Sequence, residues 1–283
     1  MSSIKNAIKN LFKISILEKW IVKQTQDKPY GNFFVKLLPS NATYPKNSLR
    51  IAKRNQITYE LDISDYMEYV LYFGIDAEPR NVLNNLIKND TVILDIGTNI
   101  GETLLNFAKI NQNGMNYGFE PVPYLYKRAI KNISLNKFLN IRVNNIALSD
   151  KEESLFFQMP TNNNSGGIAM SKNTNIGSQE VKAIKLDDFL LKNSISKVDF
   201  IKIDVEGFEM NVLKGAVETL KTHKPTMFIE LDDKNLKKQN SSAKELVVFL
   251  INIGYTIKHA QNQMIITENF AFENQHFDIT CFG

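Results

Sequence analysis

A chain of 283 residues that is 43% hydrophobic and 23% charged has the composition of a soluble globular protein with one main domain. Its net charge of +4, from 34 basic and 30 acidic residues, is too small and too scattered to indicate a nucleic-acid partner. The single cysteine, Cys281, excludes an internal disulfide, and three widely spaced histidines offer no zinc pattern. These features predict a protein of the reducing cytoplasm.

The chain also lacks the patterns of membrane insertion and secretion. No apolar run is long enough to span a bilayer. Lys5, Lys9 and Lys13 interrupt the segment in which a signal peptide would need unbroken apolar residues. We therefore expect neither a membrane-spanning nor a secreted protein.

The first 23 residues combine apolar side chains at helical spacing with intervening lysines. The apolar set is Ile4, Ile8, Leu11, Phe12, Trp20 and Ile21. This pattern predicts one basic amphipathic helix. The helix could pack on its own domain or lie on a membrane surface, and we favour the first because basic amphipathic patterns are common on ordinary helices.

A hairpin and a second helix are predicted next. Extended runs near 49–51 and 57–61 flank a turn at 53–56, and the alternation places Ile57, Tyr59 and Leu61 on one face. Ser64 is then expected to cap a helix that ends at Gly74. Residues 1–80 are thus predicted to form a small helix and hairpin extension before a main domain at 81–283.

From residue 82 onward, strand-like and helix-like segments alternate. The predicted strands cover 91–94, 116–119, 141–146, 198–203 and 227–229. The predicted helices lie near 101–111, 123–136, after Gly207 and at 243–252. Such alternation predicts an α/β fold with a mostly parallel sheet and helices on both faces, in which ligands bind beyond the carboxyl ends of the strands.

Acidic residues follow four of these strands. They are Asp95, Glu120, Asp204 with Glu206, and Glu230. Because burying an unpaired carboxylate is costly, such a cluster is expected to face solvent, a ligand or a metal. Glu209, a little further on, is interpreted as a solvated loop residue.

The stretch DIGTNIGET predicts a tight turn after the first strand. Gly97 and Gly101 bracket the turn, and Glu120 follows at a distance suited to binding ribose hydroxyls. Asn99 stands where a dinucleotide fingerprint would have its second glycine. Asp95 would repel a pyrophosphate but suits a cationic cofactor.

Five motifs together resemble those of the FkbM-type methyltransferases. They are D-x-G-x-N-x-G at 95–101, FEPVP at 119–123, NNIALSD at 144–150, LDDFL at 186–190 and IKIDVEGFEMNVLKGA at 201–216. The resemblance runs from about Leu61 to Tyr255 and implies the class I, Rossmann-like methyltransferase fold, a seven-stranded sheet whose last strand is antiparallel. It also implies S-adenosylmethionine as cofactor and a hydroxyl of a glycan or a secondary metabolite as acceptor, with a sugar hydroxyl as first choice.

The same resemblance assigns cofactor-binding residues. Asp95, Gly97 and Gly101, with Asn99 between them, would shape the pocket for the methionine part, and Glu120 would accept from the ribose hydroxyls. Asn145, Ala147 and Leu148 would lie near the adenine, and Asp204 would reach the cofactor edge. We expect Gly97→Val and Glu120→Ala to weaken cofactor binding while leaving the fold intact.

A hydroxyl acceptor needs a base, because the sulfonium methyl is already activated but the hydroxyl is a poor nucleophile. Asp204 or Glu206 is the first candidate for the general base and Glu230 the reserve. In the alternative interpretation, Asp204 only binds the cofactor amine or caps the following helix.

Other interpretations stay open at this point. Asp204, Glu230 and Asp232 could bind Mg2+, although the family resemblance does not require a metal and none is assigned. A nicotinamide-dependent oxidoreductase would need a phosphate-cradling glycine pattern, and a non-catalytic binding protein would not need carboxylates at successive strand ends. The Asn/Ser/Gly-rich residues 161–178 are interpreted as a surface excursion in preference to a mobile lid.

Overall fold

The computed structural model describes four stretches of the chain: residues 2–75, 80–158, 164–174 and 177–283. They belong to two compact units: Met1–Pro79 with Pro160–Gly167, and Arg80–Met159 with Ile168–Gly283. We call these the N-terminal unit and the sheet unit. Among the described helices, none has the length and apolar character needed to cross a bilayer.

The basic segment at the start of the N-terminal unit forms two helices, so the expectation of one continuous helix is wrong. Helix α1 covers Ser2–Leu11 and α2 covers Ser15–Thr25. Between them Phe12 stacks on Trp20, with ring centroids 6.3 Å apart, and Lys13 donates a hydrogen bond to the Thr43 carbonyl. Tertiary contacts therefore interrupt the helix where the periodicity alone predicted that it would continue.

The predicted hairpin is confirmed. Strand β1 (Leu49–Arg54) pairs antiparallel with β2 (Ile57–Asp62). The turn is shorter than predicted, because Asn55 and Gln56 make it alone with φ values of 47° and 68°. The predicted buried face of β2 is confirmed at Ile57, Tyr59 and Leu61.

The next helices are α3 (Phe33–Lys36) and α4 (Tyr66–Phe73). The N-cap of α4 is Asp65 and not Ser64, whose hydroxyl donates to Asp62 instead. Gly74 ends α4 in the left-handed conformation, as predicted.

Helix α2 turns one face towards the rest of the N-terminal unit. Glu18 is buried there, with its Oε1 2.7 Å from Nε of Arg50 and 2.9 Å from the Tyr72 hydroxyl. Ile21 is fully buried on the same face, and the Thr25 hydroxyl donates to the Phe73 carbonyl. The buried charge of Glu18 is thereby paired.

The sheet unit contains a seven-stranded sheet. Its strands in chain order are β3 (Val92–Ile96), β4 (Met115–Phe119), β5 (Ile141–Asn144), β9 (Phe200–Ile203), β10 (Thr226–Asp232), β11 (Thr256–His259) and β12 (His276–Phe282). The helices of this unit are α5 (Arg80–Leu86), α6 (Glu102–Ile110), α7 (Pro123–Ser134), α8 (Leu186–Lys192), α9 (Glu209–Lys214), α10 (Val217–His223), α11 (Asp233–Lys238) and α12 (Ala243–Ile253).

The strand order is β11-β12-β10-β9-β3-β4-β5, and β12 is antiparallel to both of its neighbours. The central pairs β10–β9, β9–β3, β3–β4 and β4–β5 are parallel. Apolar residues of the central strands are buried, including Leu94, Ile201 and Ile229. The expected mostly parallel α/β sheet with its last strand antiparallel is confirmed, and the carboxyl ends of these five parallel strands lie along one edge.

A second, smaller sheet was not predicted. It has the order β6-β8-β7, with β6 at Ala147–Leu148, β7 at Glu153–Phe157 and β8 at Gln179–Ile184. Strand β5 therefore ends at Asn144 and not at Ile146 as predicted. Residues 147 and 148 leave the main sheet because their backbone pairs with β8.

The segment 161–178 lies partly outside the described residues. Within the described part that belongs to the sheet unit, Ile168 and Met170 are buried, and Ser171 exchanges two 2.8 Å backbone hydrogen bonds with Phe156. Gln239 donates to the Met170 carbonyl. The expectation of a surface excursion is wrong for these residues, because their apolar side chains pack and their backbone is paired.

Candidate active site

The acidic residues gather where the carboxyl ends of the central strands meet. Asp95 lies on β3 and pairs in register with Lys202 on β9. Glu120 follows β4 directly and Asp204 follows β9 directly. Glu230 does not end its strand as expected, because β10 continues to Asp232.

Asp95 is the most deeply buried of these carboxylates. It is fully buried, and neither of its oxygens has a hydrogen-bond partner among the described residues. The nearest cation is Lys202, whose Nζ lies 3.5 Å from Oδ1. Burial raises the pKa of Asp95 to about 6, although the charge of Lys202 opposes the rise.

The turn after β3 depends on left-handed backbone conformations. Gly97, Asn99 and Gly101 have φ values of 87°, 50° and 87°. A Cβ atom on Gly97 would lie 1.8 Å from the carbonyl oxygen of Asp204. The expectation that Gly97→Val would leave the fold intact is therefore wrong, because this glycine lets the turns after β3 and β9 touch.

Gly101 is constrained by its backbone conformation more than by packing. Its φ of 87° is rarely adopted by residues with a side chain, whereas a Cβ atom there would lie 3.4 Å from Cβ of Ala129 on α7, near an ordinary contact distance. The residue directly precedes the first turn of α6. Its place in the motif thus reflects the left-handed turn that starts α6.

Glu120 closes the same turn from the end of β4. It is 4% exposed; its Oε2 accepts from the Asn99 backbone N–H at 2.7 Å and its Oε1 from that of Val122 at 2.9 Å. Burial raises the pKa of Glu120 to about 7, against the lowering effect of these two donors. Because Glu120→Ala would leave both N–H groups without their acceptor, we expect it to lower the stability of the fold as well as cofactor binding.

The three residues assigned to the adenine end differ in their surroundings. Asn145 is exposed, and its amide donates to the carbonyl oxygens of Glu120 and Pro121 at 2.8 and 2.9 Å. Ala147 and Leu148 are buried in β6. Asn145 therefore lies beside Glu120, whereas Ala147 and Leu148 belong to the smaller sheet.

Lys202 is a charged residue that the sequence reasoning missed. It lies in β9, all of whose residues are buried, and its Nζ contacts Asp204 Oδ2 at 3.2 Å and the Gly97 carbonyl at 3.1 Å. Burial lowers the pKa of Lys202, but the charges of Asp204 and Asp95 outweigh burial and raise it. The available signal was a lysine inside an otherwise apolar strand, where a buried cation needs carboxylate partners.

Three carboxylates meet on the far side of Lys202. One oxygen from each of Asp204, Glu206 and Glu230 lies within 4.8 Å of the other two. The Asp204 side chain is 43% exposed, so this cluster reaches solvent. The three residues proposed from the sequence as bases are thus brought together.

Glu206 has a carboxyl whose pKa lies well above its usual range. Burial, followed by the charges of Glu230 and Asp204, raises its pKa to about 8. Its Oε2 accepts from the Asn235 amide at 2.9 Å. Glu206 also has a φ of 53° and precedes Gly207, where a Cβ atom would lie 2.5 Å from the Asn235 carbonyl oxygen.

Glu209 is not the solvated residue that was expected. It is 1% exposed, and its Oε1 accepts from the backbone N–H groups of Gly207 at 3.0 Å and Val205 at 3.2 Å. Burial raises its pKa to about 7. Glu209 therefore stabilises the turn after β9 from inside.

His276 on β12 is the second residue that was missed. Its Nε2 lies 3.0 Å from Glu230 Oε1, and this contact, despite the opposing effect of burial, raises the pKa of His276 to about 9. The raised pKa favours the protonated imidazole, which would donate to Glu230. Only the antiparallel pairing of β12 with β10 brings it there, and no local motif marks it.

The proposed magnesium set of Asp204, Glu230 and Asp232 is not the group that the structure assembles. Asp232 caps α11 and accepts from the N–H groups of Lys234 and Asn235. Glu206 takes its place beside Asp204 and Glu230, and these three oxygens could bind a divalent cation. They could equally accept a proton.

The turn after β3 fits a ligand that carries positive charge and hydroxyl groups. Both oxygens of Asp95 and Oδ1 of Asn99 are buried acceptors without a hydrogen-bond partner among the described residues. Buried acceptors of this kind call for a donor or a cation, because leaving them unsatisfied is costly. The two Glu120 oxygens accept one backbone N–H each, and a carboxylate oxygen can accept a further donor.

The sheet order and the single antiparallel strand define the fold as that of the class I methyltransferases. The sequence profile described as the methyltransferase FkbM domain matches residues 95–257. That match covers more than half of the chain. The protein therefore belongs to the FkbM methyltransferase family.

Three known proteins show how far the likeness extends. The 2-O-methyltransferase NoeI of Sinorhizobium fredii is 30% identical over 173 residues, 56% of this chain and 70% of its own length. The hexuronic acid methyltransferase AglP of Haloferax volcanii is 28% identical over 136 residues, 48% of this chain and 54% of its own. The crystal structure of methyltransferase FkbM from Methylobacillus flagellatus KT aligns with a TM-score of 0.45 and 16% identity, covering 77% of this chain and 55% of that one.

Proposed function

We propose that this protein transfers a methyl group from S-adenosylmethionine to a hydroxyl group of a sugar or glycan. Family membership supports methyl transfer, and the names of two relatives, a 2-O-methyltransferase and a hexuronic acid methyltransferase, support a sugar acceptor. The observation that carries the proposal is the division of the sheet edge by Lys202. On one side lies the buried, unsatisfied Asp95, and on the other the cluster of Asp204, Glu206 and Glu230.

The turn after β3 is the proposed cofactor site. When bound, S-adenosylmethionine supplies an activated methyl group on a positively charged sulfur. Asp95 offers a fully buried acceptor to the cationic part, and Glu120 offers two carboxylate oxygens to the ribose hydroxyls. Lys202 holds Asp95 in place and favours its ionised form.

Glu206 is the proposed general base. A base works best when its pKa lies near the pH of the reaction, and the pKa of Glu206 is raised to about 8. Asn235 holds Oε2, which leaves Oε1 to take the proton of the acceptor hydroxyl. Asp204, next to Lys202, and Glu230, next to His276, are the alternatives, and both would also help to orient the acceptor.

The acceptor can be identified by comparing cells with and without the gene. Mass spectrometry of their glycans and small metabolites is expected to show sugars that lose one methyl group when the gene is absent. Complementation with the wild type or with Glu152→Gln, an exposed carboxylate elsewhere, should restore the methyl group, and Glu206→Gln should not. Unchanged glycans together with a methyl lost from a nitrogen of a metabolite would contradict a sugar hydroxyl as acceptor.

A metal-dependent form of the same reaction is the second candidate. It is favoured by the closeness of the Asp204, Glu206 and Glu230 oxygens, which lie within 4.8 Å of one another. If a divalent cation is needed, EDTA will abolish methyl transfer by the purified protein and Mg2+ will restore it. Full activity in EDTA would leave proton acceptance as the role of these carboxylates.

A further inference from the structure

The N-terminal unit carries exposed apolar side chains close together in the chain. Between 45% and 79% of each of the following residues is exposed: Ile8, Leu11, Ile14, Ile16, Trp20 and Phe33. We call this set the N-terminal patch. Single exposed apolar residues are ordinary, but a concentrated set usually marks an interaction surface.

Aromatic contacts join the parts of the patch. Trp20 stacks on Phe12 and meets Phe34 edge to face, with centroids 6.3 and 5.8 Å apart. Phe34 in turn contacts Phe33 at 5.5 Å. Helix α2, Phe12 in the segment between α1 and α2, and helix α3 therefore share one aromatic cluster.

Helix α2 has two opposite faces with different environments. At 100° per residue, Glu18, Ile21 and Thr25 lie on one side, and all three are buried. Ile16 and Trp20 lie on the other side and are exposed. The packing of α2 on its own unit thus accounts for the first face and leaves the second to be explained.

Positive charge surrounds the patch. The exposed or half-buried charged side chains described between residues 6 and 36 are six lysines and one acid: Lys9, Lys13, Lys19, Lys23, Lys28, Lys36 and Asp27. The remaining acid, Glu18, is buried and bonded to Arg50. Lys19 and Lys23 lie on the exposed side of α2, beside Ile16 and Trp20.

We propose that the N-terminal patch docks on the surface of an anionic lipid bilayer. Apolar and aromatic side chains that project from the exposed face of a short basic helix fit the boundary between headgroups and acyl chains. Lysines around them fit the negative headgroups. This inference goes beyond methyl transfer and is independent of it.

The chain provides its own reporter for the test, because Trp20 is its single tryptophan. The full chain is mixed with vesicles of phosphatidylcholine alone or with added phosphatidylglycerol. We expect the fluorescence of Trp20 to shift to shorter wavelength with the anionic vesicles and to change little with the neutral ones. High salt should weaken the shift, since it screens the lysines.

Two variants separate the charged from the apolar contribution. The double variant Lys19→Gln/Lys23→Gln should lower the partition coefficient on the order of 20-fold, since each lysine near an anionic surface contributes about fivefold. Ile16→Gln should lower it by about tenfold. The matched controls are Lys192→Gln/Lys221→Gln and Leu191→Gln, at exposed positions of the sheet unit, and both should bind as the wild type does.

Three results would overturn the proposal. One is the absence of vesicle binding by the wild type, and another is equal loss of binding in the patch variants and the controls. The third is self-association: if sedimentation shows a dimer without vesicles that Ile16→Gln dissociates, the patch is an interface between two copies of the chain.

Discussion

The turns after β3 and β9 share a backbone conformation but hold their carboxylates in different surroundings. Left-handed residues shape both turns: Gly97, Asn99 and Gly101 in the first, Glu206 and Gly207 in the second. The two turns touch where Gly97 meets the Asp204 carbonyl.

The surroundings of the two leading aspartates differ sharply. Both contact Lys202, whose Nζ lies 3.5 Å from Asp95 and 3.2 Å from Asp204, but Asp95 is fully buried whereas the Asp204 side chain is 43% exposed. A fully buried carboxylate favours binding a cation, and a carboxylate cluster open to solvent favours exchange of a proton. The difference indicates that two neighbouring motifs, both in contact with Lys202, provide two chemical environments.

The contact between the two turns is the feature whose loss should have the largest effect. We expect Gly97→Ala to destabilise the fold by roughly 4 kcal/mol and Gly97→Val by more, because a Cβ atom would clash with the Asp204 carbonyl and φ is 87°. Thermal unfolding measures the loss. Gly31→Ala is the control, since nothing lies within 4 Å of a Cβ atom there. A Gly97→Ala protein as stable as the control would show that the turns do not touch in this way.

Lys202 contacts the aspartates of both turns, so its removal should change the surroundings of both. Lys202→Met is expected to cost about 3 kcal/mol at pH 7, because Asp95 would lose its buried cation. The deficit should shrink at low pH, where Asp95 takes a proton. Denaturant unfolding of Lys202→Met, Asp95→Asn and the double variant tests the coupling, with the exposed Lys221→Met as control. If the stability losses of the two single variants simply add in the double variant, Lys202 and Asp95 are not coupled.

Replacing a carboxylate in the turn after β9 is expected to change the rate of methyl transfer. Glu206→Gln should lower turnover on the order of 10²-fold with little change in cofactor affinity. In the wild type, kcat/KM should rise with pH through about 8, because the base must be ionised, and the variant should lose this rise. If turnover falls in Asp204→Asn but not in Glu206→Gln, the general base is Asp204. Wild-type turnover in both variants would make these carboxylates structural.

Replacing Asp95 on β3 is expected to change the affinity for S-adenosylmethionine. Asp95→Asn keeps the size of the side chain but removes its charge, so affinity for S-adenosylmethionine should fall by about tenfold. Isothermal titration measures it, and the exposed Asp188→Asn is the control. Unchanged affinity in Asp95→Asn would remove this residue from the cofactor site.

Stability against pH tests the electrostatic surroundings of both turns together. The pKa values of Asp95, Glu120, Glu206 and Glu209 are raised to between about 6 and 8, so the folded state holds more protons than the unfolded state between about pH 5 and pH 8. The melting temperature should therefore fall as pH rises through this window. Glu206→Gln should reduce that fall by roughly 5 to 10 °C, about the change expected for a few kcal/mol. A melting temperature that rises from pH 5 to pH 8 would contradict these pKa shifts.

Local patterns in the sequence determined much of this protein. Alternation of strand and helix predicted the parallel sheet. Alternation of side chains along the second strand of the hairpin predicted the buried face formed by Ile57, Tyr59 and Leu61. Positions at the ends of strands predicted that Asp95, Glu120 and Asp204 meet at one edge, because parallel strands bring their carboxyl ends together. These features depend on residues close in the chain.

Tertiary structure alone decided which charges are buried and which residues face one another. Lys202 sits between Asp95 and Asp204 because β9 lies beside β3, and His276 reaches Glu230 because β12 runs antiparallel to β10. The helix at the N-terminus breaks near Lys13, which donates to the Thr43 carbonyl 30 residues away. The pKa of a charged group and the end of a helix here depend on neighbours that are distant in sequence, and local periodicity contains no information about them.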